Sequence, residues 1–168
     1  MTTFATAPSS RRSECPQVLS VAYTPDSDDV FNYLAWEHGE VVMHGWAPHF
    51  ARGHIAELNR AAADETYDVV AVSSVAYPAL ADKYWILSVG SSVGRGYGPV
   101  LVARQPMAVS SLGGARIAIP SLNTTGGMLA RMFCPDEARF IEMPYDRIAE
   151  AIMRDEVDAG VMIHEELV

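Results

Sequence analysis

From residue 18 onward the chain alternates short β-rich runs with helix-like windows, and no other feature limits its fold as strongly. Strand, helix and strand in succession make βαβ units, which assemble into a mainly parallel sheet with helices on its faces. The expected strands lie at 18–24, 41–50, 67–72, 85–90, 99–104, 115–120, 139–143 and 159–164, the second being the weakest. The expected helices lie at 29–38, 54–64, 74–84, 125–133 and 146–155. The last is the clearest, because Ile148, Ala149, Ile152 and Met153 form one apolar stripe and Asp146 offers an oxygen to the free amides of the first turn. The segment Gly94-Arg95-Gly96-Tyr97-Gly98-Pro99 breaks the alternation. Three glycines and a proline neither propagate a helix nor pair well in a central strand, so it reads as a crossover between two lobes. The fold class is α/β.

At 168 residues there is material for one ordinary domain or two small lobes. Twelve Lys and Arg against 21 Asp and Glu give a net charge of −9. Binding to nucleic acid or to an anionic membrane surface needs a concentrated positive field, so both are excluded as expectations. The apolar runs 69–72 and 117–119 are far too short to span a bilayer. Cys15 and Cys134 stand far apart without a CxxC or a Cys/His pair at zinc spacing, which suggests neither a disulfide framework nor a metal site. Residues 1–17 form a polar N-terminal tail with Arg11 and Arg12 but no apolar stretch after them, so no secretory signal is expected and the protein is expected to be cytoplasmic.

Three junctions share one design, in which a β run stops, small polar residues follow and a helix begins. They are Thr24-Pro25-Asp26-Ser27-Asp28, Ser73-Ser74, and Ser121-Leu122-Asn123-Thr124-Thr125-Gly126-Gly127. Loops at the carboxyl ends of parallel strands line the ligand crevice, and amides at a helix start attract anions, so the three loops can converge on one cleft. The Asn123 to Gly127 loop is the best anion cradle, since two hydroxyls and two unhindered amides can grip a carboxylate. No Gly-Lys-Ser/Thr follows, so it is not a Walker motif. Helix capping with glycine flexibility is the competing explanation for this loop, as capping is for Ser73, Ser74, Asp26, Asp28 and Asp29.

His164 follows the apolar run Gly160-Val161-Met162-Ile163 and precedes Glu165-Glu166. An imidazole where a buried strand emerges is well placed for a general base, the alternative being a structural histidine with its bonds satisfied. His38, His44, His49 and His54 lack any metal-ligand spacing and read as surface residues. Tyr97, Tyr145 and Trp85 are candidates for the border of the cleft or for the core.

Six motifs then occur in one order: Tyr23-Thr24-Pro25-Asp26-Ser27-Asp28-Asp29-Val30-Phe31, Val72-Ser73-Ser74-Val75-Ala76-Tyr77, Gly94-Arg95-Gly96-Tyr97-Gly98-Pro99, Asn123-Thr124-Thr125, Tyr145-Asp146-Arg147-Ile148 and Ile163-His164-Glu165. Together they resemble the 1,4-dihydroxy-6-naphthoate synthase family of the futalosine route to menaquinone. The resemblance implies a two-lobed periplasmic-binding-protein-like (type II) fold, C-terminally truncated, because chains of the family continue past this point and return to complete the first lobe. Lobe one is expected at 18–93 and lobe two at 94–168.

The implied activity is that of a cytoplasmic carbon–carbon lyase that cleaves cyclic dehypoxanthinyl futalosine to the dihydroxynaphthoate and dihydroxyacetone with no metal or organic cofactor. The resemblance carries the proton-accepting histidine onto His164, the paired threonines onto Thr124 and Thr125, and the substrate-contacting strand end onto Ala71, Val72 and Ser73. Asn59 is polar in the family and is expected to face the cleft. The expected partners are an anionic small-molecule substrate and either a second copy of the chain or a complementing C-terminal segment, with no nucleic acid and no membrane. Two alternatives are chorismate dehydratase of the same pathway, against which the His164 strand and the threonine pair count, and a non-catalytic cytoplasmic solute-binding module, which has no use for a poised imidazole. A third is a truncated, inactive relative of the lyase.

Overall fold

A computed structural model describes residues 15–163. Two sheets carry the chain. The first has the order β2-β1-β3, built from β1 (Gln17–Tyr23), β2 (Trp46–Arg52) and β3 (Val69–Val70), with both neighbours parallel to β1. Helix α1 (Ser27–Glu37) connects β1 to β2, and α2 (Ile55–Ala63) connects β2 to β3. The second sheet has the order β4-β7-β5-β6, from β4 (Val100–Val102), β5 (Arg116–Ile119), β6 (Arg139–Glu142) and β7 (Ala159–Met162). Helix α3 (Thr125–Phe133) joins β5 to β6, and α4 (Tyr145–Met153) joins β6 to β7. Strands β6 and β7 run parallel to β5, as the βαβ pattern requires, while β4 enters antiparallel to β7.

The second sheet is covered on both faces, and the period of two in its strands shows why. Ile117 and Ile119 of β5 join Ala159 and Val161 of β7 in a cluster with Ala130 of α3. The intervening Ala118 faces the other way, into a cluster with Ile148, Ala151 and Ile152 of α4. Gly160 lies between Val102 and Ala118 on the neighbouring strands, and a Cβ there would come within 2.4 Å of Ile148 Cγ2. The absence of a side chain at this residue is what lets α4 sit down on β7. In the first sheet Val21, Ala22 and Tyr23 of the central strand are buried, with Leu58 and Ala62 of α2. Helix α1 ends in a Schellman motif, with Glu40 N donating to Ala35 O and Gly39 N to Trp36 O, and Gly39 takes the positive φ of 74° that this turn demands.

Four expectations need correction. The strand expected at 41–50 begins only at Trp46, because Gly45 turns the chain with φ 85° and leaves Val41, Val42 and Met43 exposed in the connection. The helix expected at 74–84 is a run of turns with a 3₁₀ segment at Tyr77–Ala79. Pro78 has no N–H to give to Ser74 O, which instead accepts from Tyr77 N at 3.3 Å, and the i→i+3 pattern follows. The strand expected at 85–90 does not form, since β3 already flanks β1 and the segment has no strand beside it. Trp85 is 93 % exposed there. Finally, Asp146 does not cap α4: the extended Pro144 occupies the cap position and Asp146 is the second helical residue, where its charge still favours the helix start.

Two tests follow from this packing. Gly160→Ala should destabilise the protein by about 1–3 kcal/mol through overpacking against Ile148, read by urea denaturation, and an unchanged midpoint would refute the close approach. The second concerns acid. Hydrogen bonds from the Arg116 side chain, then from its backbone amide at 2.8 Å, hold the Asp158 carboxyl below its usual range. A depressed carboxyl stabilises the fold above its unfolded pKa and loses that contribution as pH falls through the folded one. The melting-temperature gap between wild type and Asp158→Asn should therefore be open at neutral pH and close as the pH drops below the ordinary carboxylate range.

Candidate functional site

Strand ends from both sheets meet around one cleft of about 1080 Å³. Thr24 and Asp29 reach it after β1, Ala71 to Ser74 after β3, Thr125 and Gly126 after β5, and Ile163 after β7. Parallel strands place their carboxyl ends on one side of a sheet, so the loops after β1 and β3 and those after β5 and β7 each leave together toward this space.

The α3 start is fixed from beneath. Thr124 is the helix cap: its hydroxyl donates to Ser121 O at 2.7 Å and accepts from Gly127 N at 3.2 Å. Glu142 of β6 takes the Ser121 hydroxyl at 3.0 Å and the Leu122 amide at 2.9 Å on one oxygen. Gly127 is obligatory, because a Cβ would lie 2.0 Å from Ser121 O. With the loop so held, Thr125 and Gly126 present the first turn of α3 to the cleft, where the leading amides of a helix have no partner within it. Such a terminus suits an anion.

Asn59 is 3 % exposed and is not among the residues that line the cleft. Its Nδ2 donates to Ser73 Oγ at 3.2 Å and to Asn123 O at 3.0 Å, while its Oδ1 accepts from Ser73 N at 2.9 Å. A single amide from α2 thus ties the end of β3 to the loop before α3. Beside it the Ser74 and Thr125 hydroxyls lie 3.1 Å apart across the junction.

The first loop is organised by Asp29, whose Oδ2 accepts from the Thr24 amide at 2.8 Å and the Thr24 hydroxyl at 2.9 Å. Burial pushes its carboxyl above the usual range, against the pull of those two bonds. Tyr33 lines the same wall. Burial raises its phenol too, and the Asp29 charge adds to the effect. Behind the wall, Tyr23 stacks on Tyr33 with ring centroids 4.8 Å apart and donates its hydroxyl to Glu37, which also takes Arg52 at 2.5 Å.

Of the residues singled out in the sequence, Ala71, Val72, Ser73 and Thr125 border the cleft, whereas the polar atoms of Thr124 and Asn59 are engaged within the protein. His164 lies outside the described residues, and Ile163 before it borders the cleft. Trp85, Tyr97 and Tyr145 border it as well, and His38, His44, His49 and His54 are exposed. Two features escaped the sequence reading. Tyr33 could have been found from its i+4 spacing to Asp29, which puts both on one face of α1. The meeting of Ser74 with Thr125 carried no local signal, as it depends on how the sheets are set. Among the described residues no group of three or more His, Cys, Asp or Glu could hold a metal ion, and no helix is long and apolar enough to cross a membrane.

Comparison with known proteins adds sequence and fold relationships. Residues 19–167 match the family model described as menaquinone biosynthesis. A 1,4-dihydroxy-6-naphtoate synthase of Thermus thermophilus is 32 % identical over 149 residues, covering 89 % of this chain and 53 % of that protein. One of the same name from Streptomyces coelicolor is 32 % identical over 152 residues, covering 88 % and 53 %. The crystal structure of protein AF1704 from Archaeoglobus fulgidus superposes with a TM-score of 0.81 at 44 % identity, over 90 % of this chain and 55 % of that one. The alkanesulfonate-binding protein SsuA of Xanthomonas axonopodis pv. citri gives 0.63 at 17 % identity, over 88 % and 55 %, which shows a shared periplasmic-binding-protein-like fold. The chain spans about half the length of these relatives.

The cap geometry yields its own test. Thr124→Val removes both hydroxyl bonds at the α3 start and should cost roughly 1–2 kcal/mol of stability by denaturant titration. Wild-type stability in this variant would show that the loop is held without the cap.

Proposed function

The chain belongs to the menaquinone-biosynthesis family, and on that premise we propose that it acts as a carbon–carbon lyase that forms 1,4-dihydroxy-6-naphthoate from cyclic dehypoxanthinyl futalosine in the cytoplasm. The observation that carries this reading is the convergence of Ser73, Thr125 and the end of β7 on a single cleft. The substrate is an anionic small molecule. Its carboxylate is held by the Thr125 hydroxyl and the open amides of the first turn of α3. Thr124 caps that turn and so positions Thr125, and Asn59 fixes Ser73, which orients the sugar-derived end. Ala71 and Val72 supply the wall between them.

His164, directly after the cleft residue Ile163, is the general base in this proposal. It removes a proton from the bound substrate and starts a retro-aldol-like fragmentation that releases dihydroxyacetone. Holding base and substrate in one cleft replaces a bimolecular encounter with a positioned proton transfer.

His164→Gln should lower turnover by roughly 10²- to 10⁴-fold while leaving naphthoate affinity within about twofold, measured by product release and by titration. Equal turnover in both proteins would remove His164 from the reaction. Thr125→Val should weaken naphthoate binding by about 1–3 kcal/mol, and unchanged affinity would leave Thr125 a helix residue only.

A further inference from the structure

The two walls of the cleft differ in charge. On the first sheet's side Asp26, Asp28 and Asp29 line it after β1, and Glu65, Asp68 and Lys83 line it around β3, with Lys83 Nζ paired to Glu65 Oε1 at 3.0 Å. The second sheet's side contributes Pro99, Thr125, Gly126, Tyr145 and Ile163 and, among the described residues, no carboxylate. Asp29 is firmly placed, because Thr24 grips its side chain twice. Both bonds fall on Oδ2, so the carboxylate keeps acceptor capacity on its other oxygen. A carboxylate that burial has deprived of water gains more from a hydroxyl donor than an exposed one does, and burial is the first influence on Asp29.

We propose that Asp29 sets the direction in which the ligand lies, accepting hydrogen bonds from the hydroxyls of its carbohydrate-derived end and repelling its carboxylate toward Thr125 and Gly126. This rests on the lyase reading above and adds a positioning residue to it. A ligand with an acid at one end and hydroxyls at the other meets a like charge if it enters reversed, and in a cleft partly shielded from solvent that repulsion is felt more strongly than in bulk water. The correct orientation puts donors on the acidic wall and the acid on the helix start, so both ends are matched at once.

The test compares two ligands that differ in the end that Asp29 would hold. In a His164→Gln background, which slows turnover enough for the substrate to be titrated, calorimetry gives the affinities of the uncleaved futalosine-derived substrate and of 1,4-dihydroxy-6-naphthoate, which lacks the carbohydrate. Asp29→Asn, and Asp29→Ser as a second variant should the first fail to fold, should weaken the substrate about tenfold or more and leave the naphthoate within about twofold. Thr24→Val disturbs the structural bond but keeps the carboxylate, and should leave the ratio of the two affinities unchanged. Equal weakening of both ligands, no change in either, or the same change of ratio in Thr24→Val would overturn the role of Asp29 while the lyase reading stands. A chain that binds neither ligand before Asp29 is altered would overturn that reading and this inference with it.

Discussion

One buried side-chain amide holds the arrangement together. Asn59 has two donors and one acceptor oxygen, and it spends them on Ser73 at the end of the first sheet and on the carbonyl of Asn123 before α3. Each bond contributes only on the order of 1 kcal/mol, and Asn59, itself buried, would be left with unpaired polar atoms if its partners were lost. The three contacts also carry geometry. With Asn59 in place, Ser73 and Asn123 keep a fixed separation, and Ser74 comes within hydrogen-bonding distance of Thr125. The cleft is defined by this join between sheets as much as by either sheet.

The sheets themselves are stabilised unequally. The second is sandwiched between α3 and α4 with apolar side chains on both faces, and Gly160 lets α4 approach β7 closely. The first has a well-buried central strand, but β3 is paired with it over two residues only, and the chain beyond runs irregular and exposed through Trp85, Ile86 and Leu87. The loops around the cleft therefore hang from one heavily packed support and one lighter one, and the lighter one is the part that opens at lower cost.

Much of the fold was legible because it is written in local patterns. The alternation of Ile117, Ala118 and Ile119 marks a strand buried on both faces, and the Ile148 to Ile152 spacing marks the helix that covers it. What failed was decided by partners or by single residues acting on the backbone. The run at 85–90 has strand composition without a neighbouring strand, Pro78 turned a helix-like window into a 3₁₀ turn, and Gly45 delayed β2. At the site the carboxyl-end rule located Ser73 and Thr125, since it depends only on where strands stop. It could not tell that the Thr124 hydroxyl looks inward to cap its own helix, or that Asn59 bridges two loops 14 and 64 residues away. Those outcomes depend on distances between elements that are remote in sequence.

The position of β7 has a consequence for synthesis. Among the described residues it is the last strand of the second sheet in chain order, yet it lies inside the sheet, between β4 and β5. While a ribosome is making residues 120–158, β4 and β5 exist with the slot between them vacant and their facing edges unpaired. Contacts of such long sequence separation form slowly, and exposed edges invite pairing with other nascent chains. Strand-by-strand assembly can pair β6 with β5 but cannot join β4 to them. The sheet must be completed in one late step, when Ala159 to Met162 slide in and shut both edges together.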